Sequence, residues 1–135
     1  MPIHSILLVD DEPSVLDTVR LMLERTGFAV STANSGMEAI RMLRRETVDL
    51  VITDLLMPEM DGIELINFLH KNFPGLRVVA MSGGRQLSAD TYLMIARGFH
   101  VDFLLRKPFT CAQLLEAIAA VDTLASNPVP SRAVS

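Results

Sequence analysis

Acidic, hydroxyl and ammonium side chains follow short apolar segments of this chain. Asp10 and Asp11 follow residues 5–9, Asp54 follows residues 48–53, Ser82 ends residues 77–82, and Lys107 follows residues 101–105. Carboxylate oxygens are the ligands that Mg²⁺ prefers, usually one or two of them with waters. A metal beside an aspartate allows phosphoryl transfer to the carboxylate, because the metal neutralises the phosphoryl oxygens. The ammonium and the hydroxyl are suited to the remaining phosphoryl oxygens.

The aspartates and Ser82 also have ordinary structural interpretations, and Lys107-Pro108 alone is uninformative. The Asp10-Asp11 pair precedes a predicted helix and fits a helix cap. Asp54 fits an Asx turn at the end of a strand. The Ser-Gly-Gly run at 82–84 fits a turn, and no Walker lysine follows it. The joint placement at four strand ends is what favours a functional site.

The elements that must position these residues alternate along the chain. Continuous apolar runs predict strands covered on both faces, and the spacing of apolar residues between them predicts helices. The predicted strands are residues 5–9, 28–33, 48–53, 77–82 and 101–105, and the predicted helices are 14–25, 35–46, 63–72, 88–97 and 110–125. This order predicts an α/β fold, a doubly wound five-stranded parallel sheet. Ligands bind such sheets at the carboxyl ends of the strands.

Composition sets the limits of this prediction. A length of 135 residues predicts one domain, residues 1–125, followed by a flexible tail, residues 126–135. The net charge of -4 argues against a nucleic-acid binder that works by bulk charge. The single cysteine, Cys111, excludes a disulfide framework within the chain and a cysteine-based zinc site. No apolar run reaches membrane-span length and no signal peptide is evident, so a cytoplasmic location is expected.

Four ordered motifs carry a family resemblance. They are residues 6–12 (ILLVDDE), 51–62 (VITDLLMPEMDG), 79–83 (VAMSG) and 107–109 (KPF). Together they resemble the receiver domain of two-component response regulators, over residues 3–125. The resemblance implies the flavodoxin-like (βα)5 receiver fold. The Met1 start favours a stand-alone regulator, similar to the chemotaxis regulators.

The resemblance also implies a phosphoacceptor and a metal site. Asp54 takes the place of the phosphoacceptor. Asp11 is expected to bind Mg²⁺ directly, Asp10 to assist mainly through water, and the main-chain carbonyl of Leu56 to complete the protein ligands.

Two further positions match the family's switch residues, and a third departs from them. Ser82 takes the place of the switch hydroxyl, and Lys107 is expected to contact the phosphoryl group before a cis bond to Pro108. The family usually has an aromatic residue three positions before this lysine, where the chain has Leu104. A bulge would bring Phe103 into that place; otherwise Leu104 replaces the aromatic residue.

The functional expectation is a phosphorelay receiver. It accepts phosphoryl from a sensor histidine kinase or a histidine phosphotransfer protein and is not a dedicated enzyme, apart from expected self-dephosphorylation. Its output is expected to pass to a downstream protein, or to a phosphorylation-dependent homodimer, with no direct nucleic-acid or membrane contact. The expected surface is the fourth predicted helix, the fifth strand and the fifth helix, because residues 92–96 are all apolar and Ala112, Ala117, Ala119 and Ala120 leave the last helix poorly charged.

Two alternatives belong to other functional classes. A flavodoxin-like small-molecule binder suits the fold, but the chain has one Tyr and no Trp to sandwich a flavin. A receiver-shaped interaction module that is never phosphorylated is disfavoured by the complete set of acids, hydroxyl and lysine.

Overall fold

The computed structural model describes residues 2–55, 62–83 and 101–126. The predicted helix 88–97, the expected ligand Leu56 and the predicted tail from residue 127 onward lie outside these ranges.

A five-stranded parallel sheet forms the centre of the molecule, in the order β2-β1-β3-β4-β5. The strands are β1 Ser5–Val9, β2 Ala29–Ala33, β3 Leu50–Asp54, β4 Arg77–Ser82 and β5 Phe103–Arg106. β3 is buried along its whole length, which is why its sequence is a continuous apolar run. The predicted doubly wound, flavodoxin-like fold is confirmed.

Helices cover both faces of this sheet. They are α1 Pro13–Thr26, α2 Gly36–Leu43, α3 Gly62–Asn72 and α4 Cys111–Ser126. Side chains of α2 and α3 pack in one core cluster with Leu7 and Val9 of β1. Those of α1 and α4 pack in a second cluster with Ile6 and Leu8. Successive residues of β1 thus enter opposite cores, as the alternation of side chains along a strand requires.

The ends of the helices follow from local sequence. Gly27 ends α1 with a φ of 108°, a left-handed conformation that glycine adopts without steric cost. Ser35 caps α2 by accepting a hydrogen bond from the Glu38 amide. Thr110 caps α4 in the same way, and its own amide donates to the Gln113 side chain, as predicted for Thr110.

β2 begins one residue later than predicted, and β3 and β5 begin two residues later, for a cause that these last two share. Asp49 Oδ2 accepts hydrogen bonds from the backbone amides of His4 and Ser5 at 2.9 and 3.0 Å, so its side chain takes the place of a backbone partner at the start of β1. Asp102 Oδ2 accepts from the Val78 amide at 2.8 Å and closes the start of β4. β3 therefore begins after Asp49, and β5 begins after Asp102.

Helices α2 and α4 also differ from prediction in detail. α2 ends at Leu43 instead of residue 46, where the Arg45 amide bonds to the Met42 carbonyl three residues back and so departs from the α-helical spacing of four. On α4, Ala117 is fully buried in the core, so the expectation that it contributes to an exposed alanine surface is wrong. Ala112 and Ala119 are exposed.

Candidate functional site

Three aspartates meet at the carboxyl edge of the sheet. Asp10 and Asp11 follow β1, and Asp54 ends the neighbouring β3. One carboxylate oxygen from each lies within 4.8 Å of the others. Asp10 and Asp54 are buried and Asp11 is exposed. Oxygen ligands at this spacing, open to solvent on one side, suit a divalent cation that keeps several waters.

The helix-cap interpretation of the aspartate pair is wrong. The residue at the N-cap position of α1 is Glu12, and it makes no side-chain capping bond. Asp10 Oδ1 instead accepts from the Glu12 amide at 3.0 Å, while the Asp10 amide donates to the Ala33 carbonyl at 3.2 Å. These bonds hold the Asp10 carboxylate at the sheet edge, with Oδ2 directed to the site.

Lys107 supplies the positive charge of the site. Its Nζ lies 2.9 Å from Asp10 Oδ2 and 3.6 Å from Asp54 Oδ2. Burial lowers the pKa of the Lys107 ammonium, but the hydrogen bond and charge of Asp10 and the charges of Asp54 and Glu12 outweigh it, so the pKa is raised above its usual value. Lys107 is therefore fully charged at neutral pH. The contribution of Glu12 was missed from the sequence, although it follows the aspartate pair directly.

Ser82 lies at the end of β4, buried beside Lys107. Its carbonyl accepts a 2.6 Å hydrogen bond from the Lys107 amide, which ties the end of β4 to the segment after β5. The Lys107–Pro108 peptide bond is cis, as predicted. Ser82, Lys107 and the three aspartates are thus brought to one edge, while Leu56 lies outside the described residues.

The register of β5 decides how Leu104 and Phe103 are oriented. β4 and β5 pair without a bulge, with Val79 opposite Phe103 and Ala80 opposite Leu104. Leu104 packs against the core under α2 and α3, and Phe103 packs against the core under α1 and α4. Phe103 therefore lies on the opposite face of the sheet and does not take the position of Leu104.

An open groove of about 470 Å³ borders the site between α1 and the segment that follows β5. Its walls include Val15 and Met22 on one side and Lys107 and Phe109 on the other, with exposed Gly83 at one end. The groove leaves space for an incoming group next to Lys107.

No histidine or cysteine joins the acid cluster in the part of the chain that the structure describes. His4 and His70 are exposed, Cys111 is half-buried, and His100 lies outside the described residues. No helix in the described part of the chain is long and apolar enough to cross a membrane.

The sheet is parallel and five-stranded, and its carboxyl edge holds an acidic cluster and a lysine. These features are typical of a class of signalling domain, and comparisons with known proteins agree. A family model, the response regulator receiver domain, matches residues 6–119. The transcriptional regulatory protein GlrR of Escherichia coli (strain K12) is 48% identical over 81 residues, 60% of this chain and 18% of that protein. A CpxR homolog of Haemophilus influenzae is 35% identical over 125 residues, 91% of this chain and 52% of that protein.

Solved structures show the same likeness. A crystal structure of a CheY-like response regulator receiver domain protein from Methanospirillum hungatei JF-1 matches with a TM-score of 0.85 and 27% identity, covering 94% of this chain and 99% of that one. The chain belongs to the response regulator receiver family. It is a receiver domain of two-component phosphorelay signalling, and the family is one of phosphoacceptor signalling domains. It spans about half or less of the length of the two curated relatives described above.

Proposed function

We propose that Asp54 accepts a phosphoryl group from a phosphohistidine of a sensor kinase or a histidine phosphotransfer protein. One observation carries this proposal: Asp54 ends a buried strand with Asp10 and Asp11 within 4.8 Å and Lys107 Nζ at 3.6 Å. No simple capping role needs two further acids and a charged lysine around one carboxylate.

The acid cluster fits Mg²⁺. Asp11, which is exposed, would bind the metal directly, with Asp10 assisting and the Leu56 carbonyl as the remaining protein ligand. When bound, the metal would neutralise charge on the phosphoryl oxygens. Three carboxylates and one ammonium leave the cluster with an excess of negative charge, which a divalent cation compensates.

The chain's own residues would then carry the transfer. An Asp54 carboxylate oxygen attacks phosphorus, an O–P bond forms, and the N–P bond to the donor imidazole breaks with its electron pair left on nitrogen. Lys107 would shift its hydrogen bond from the Asp10 carboxylate toward a phosphoryl oxygen, as its ion pair with Asp54 lengthens. Ser82, buried at the end of β4, would donate a hydrogen bond from its hydroxyl to another phosphoryl oxygen. Attack of water on the acyl phosphate would later return the free carboxylate.

The partners follow from this chemistry. The proposed donor is a histidine kinase or phosphotransfer protein, and the proposed output is protein binding or homodimerisation at the surface formed by residues 88–97, β5 and α4. Leu104, on the face of β5 toward α2 and α3, would take the switch position that is aromatic in most of the family. The proposal includes a cytoplasmic location, one domain over residues 1–125 and a flexible tail beyond it.

Labelling with acetyl phosphate tests the proposal. Intact mass should rise by about 80 Da, one phosphoryl group, only when Mg²⁺ is present. Asp54→Asn should remove the adduct, and Asp49→Asn, at the other end of β3, should retain it. An undiminished adduct on the Asp54 variant would overturn the assignment.

A further inference from the structure

A second cavity, of about 390 Å³, opens at the opposite edge of the sheet, where the strands begin. It lies between the loop that joins α2 to β3 and the loop that joins α3 to β4. Its apolar wall is formed by Leu43, Val48, Phe73 and Leu76. Asp49 lines this cavity and directly precedes β3, whereas Asp54 is the last residue of β3. The rise per residue of a strand therefore separates the cavity from the acid cluster by about 17 Å.

Exposed arginines stand beside this cavity. Arg44 and Arg45 lie between Leu43 and Glu46, which both line it, and Arg41 lies one turn earlier on α2. All three are exposed. Among the residues that the structure describes, none of the three forms an ion pair.

The acids nearest in sequence are engaged elsewhere. Glu38 accepts a 2.7 Å hydrogen bond from the Asn34 amide, and Glu46 accepts one of 2.8 Å from the Ser31 hydroxyl. Helix-dipole compensation accounts for Arg41 in the last turn of α2 and for Arg44 at its C-cap, but not for Arg45, which lies beyond the helix.

The positive charge near the cavity lies beside its lining, in a chain that is acidic as a whole. Arg77 lines the cavity and pairs with Asp122 at 3.8 Å, and the other charged residues of the lining are Glu46 and Asp49. The three exposed arginines beside the cavity thus have no ion-pair partner among the described residues, whereas both lining carboxylates already accept hydrogen bonds. An apolar cavity with arginines beside it fits one apolar side chain flanked by carboxylates.

We propose that this cavity is a docking site for an acidic peptide segment of a partner protein. One large apolar side chain of the segment enters the cavity against Phe73 and Leu76, and its flanking carboxylates pair with Arg44 and Arg45. The docking site is separate from the phosphoacceptor edge, so it holds a partner whether or not Asp54 is phosphorylated.

A titration of the unphosphorylated chain tests this proposal independently of labelling at Asp54. The probe is a heptapeptide with a central Phe and three Glu residues on each side, added to ¹⁵N-labelled protein. Amide shifts should change at residues 44–49 and 73–77, and binding should weaken as salt rises, because exposed charge pairs are screened. No shift at millimolar peptide, or shifts centred on Asp10 and Lys107, would overturn the proposal.

Matched variants separate the contribution of the arginines from that of the apolar cavity. Arg44→Glu and Arg45→Glu should each weaken binding about fivefold, whereas Arg25→Glu, an exposed arginine at the end of α1, should leave it unchanged. Thr47→Trp places a large side chain at an exposed lining position and should block the cavity. A peptide with Ala in place of Phe should bind at least tenfold more weakly, the loss expected for an apolar anchor.

The remaining outcomes also decide the question. Equal binding of the Phe and Ala peptides would show that only charge is recognised and would overturn the proposal. So would a short DNA duplex that displaces the peptide and loses affinity with Arg44→Glu, because the site would then be a phosphate-binding surface. A peptide-independent change in oligomeric state with Arg45→Glu would assign the surface to a second copy of this chain instead.

Discussion

Lys107 Nζ donates a 2.9 Å hydrogen bond to Oδ2 of Asp10, which lies 97 residues earlier in the chain. The Asp10 side chain has no solvent exposure. The bond joins the end of β1 to the segment after β5, at opposite sides of the site. A buried carboxylate needs such a partner, because an uncompensated charge away from water is costly. The same ammonium lies 3.6 Å from Asp54. It therefore offsets part of the negative charge of the acids before any phosphoryl group arrives.

Lys107→Met should destabilise the fold and slow phosphorylation. The change removes the hydrogen-bonding partner of buried Asp10 and leaves Asp10 and Asp54 as neighbouring like charges, a loss of about 1–3 kcal/mol in the free energy of unfolding. Urea unfolding measures this loss. The control is Lys71→Met, because Lys71 is exposed at the end of α3 and its loss should change stability by less than about 0.5 kcal/mol. Equal midpoints for both variants would contradict a structural role for the Lys107–Asp10 bond.

Mg²⁺ should raise the melting temperature, and Asp11→Ala should reduce this rise. A ligand that binds only the folded chain stabilises it by RT ln(1 + [L]/Kd), about 2.7 kcal/mol at a hundredfold excess over Kd. Asp11 is the exposed member of the acid cluster, so its removal takes away a ligand without opening a core cavity. Thermal melts with and without Mg²⁺ measure the effect. Asp17→Ala, an exposed aspartate on α1, is the control, and identical melts with and without saturating metal would argue against the metal site.

Much of the fold was predictable from the sequence, because apolar runs mark buried strands directly. The bounds of β1 and β4 match the predicted segments 5–9 and 77–82 exactly. β3 and β5 begin two residues late, since Val48 and Val101 are apolar but precede an aspartate that bonds to the neighbouring strand. An apolar pattern does not separate a strand residue from a buried loop residue, whereas an aspartate just before a strand is a usable signal.

The site was predictable as a set of residues, but its internal bonding was not. Asp10, Asp54 and Lys107 each lie at or after the carboxyl end of a parallel strand, and these ends meet at one edge of the sheet. That Lys107 is nearer to Asp10 than to Asp54 depends on side-chain geometry that spacing does not specify. The orientation of Leu104 and Phe103 likewise required the register of β5 against β4, because a shift of one residue exchanges the two faces of a sheet.

Asp49→Asn should change how stability depends on acid. The backbone hydrogen bond from His4, followed by the bonds from Ser5 and the charge of Arg77, lowers the pKa of Asp49 below 3.8, against the opposing effect of burial. A carboxyl whose folded pKa is depressed contributes stability that is present above its unfolded pKa and is lost as pH falls through the folded pKa. The variant should therefore be less stable than wild type at pH 7, and the difference should shrink below about pH 4.

Urea unfolding at several pH values measures this difference. Asp17→Asn is the control, because Asp17 is exposed on α1 and its bond to Arg20 is a surface pair at 3.4 Å, worth little at any pH. A gap between Asp49→Asn and wild type that stays constant down to pH 2 would show that the amide costs stability through packing and not through charge.

The output surface should be separable from phosphorylation. Ala119 is exposed on α4, and Met94 lies in the predicted helix 88–97, outside the described residues. Ala119→Arg and Met94→Arg place a charge on a surface expected to be apolar, so each should abolish partner binding or phosphorylation-dependent dimerisation while Asp54 is labelled as in wild type. Asn67→Arg, exposed on α3, is the matched control. Light scattering before and after acetyl phosphate treatment, with pull-downs of the partner, reports the outcome. If all three variants assemble like wild type, the signalling output uses another face of the molecule.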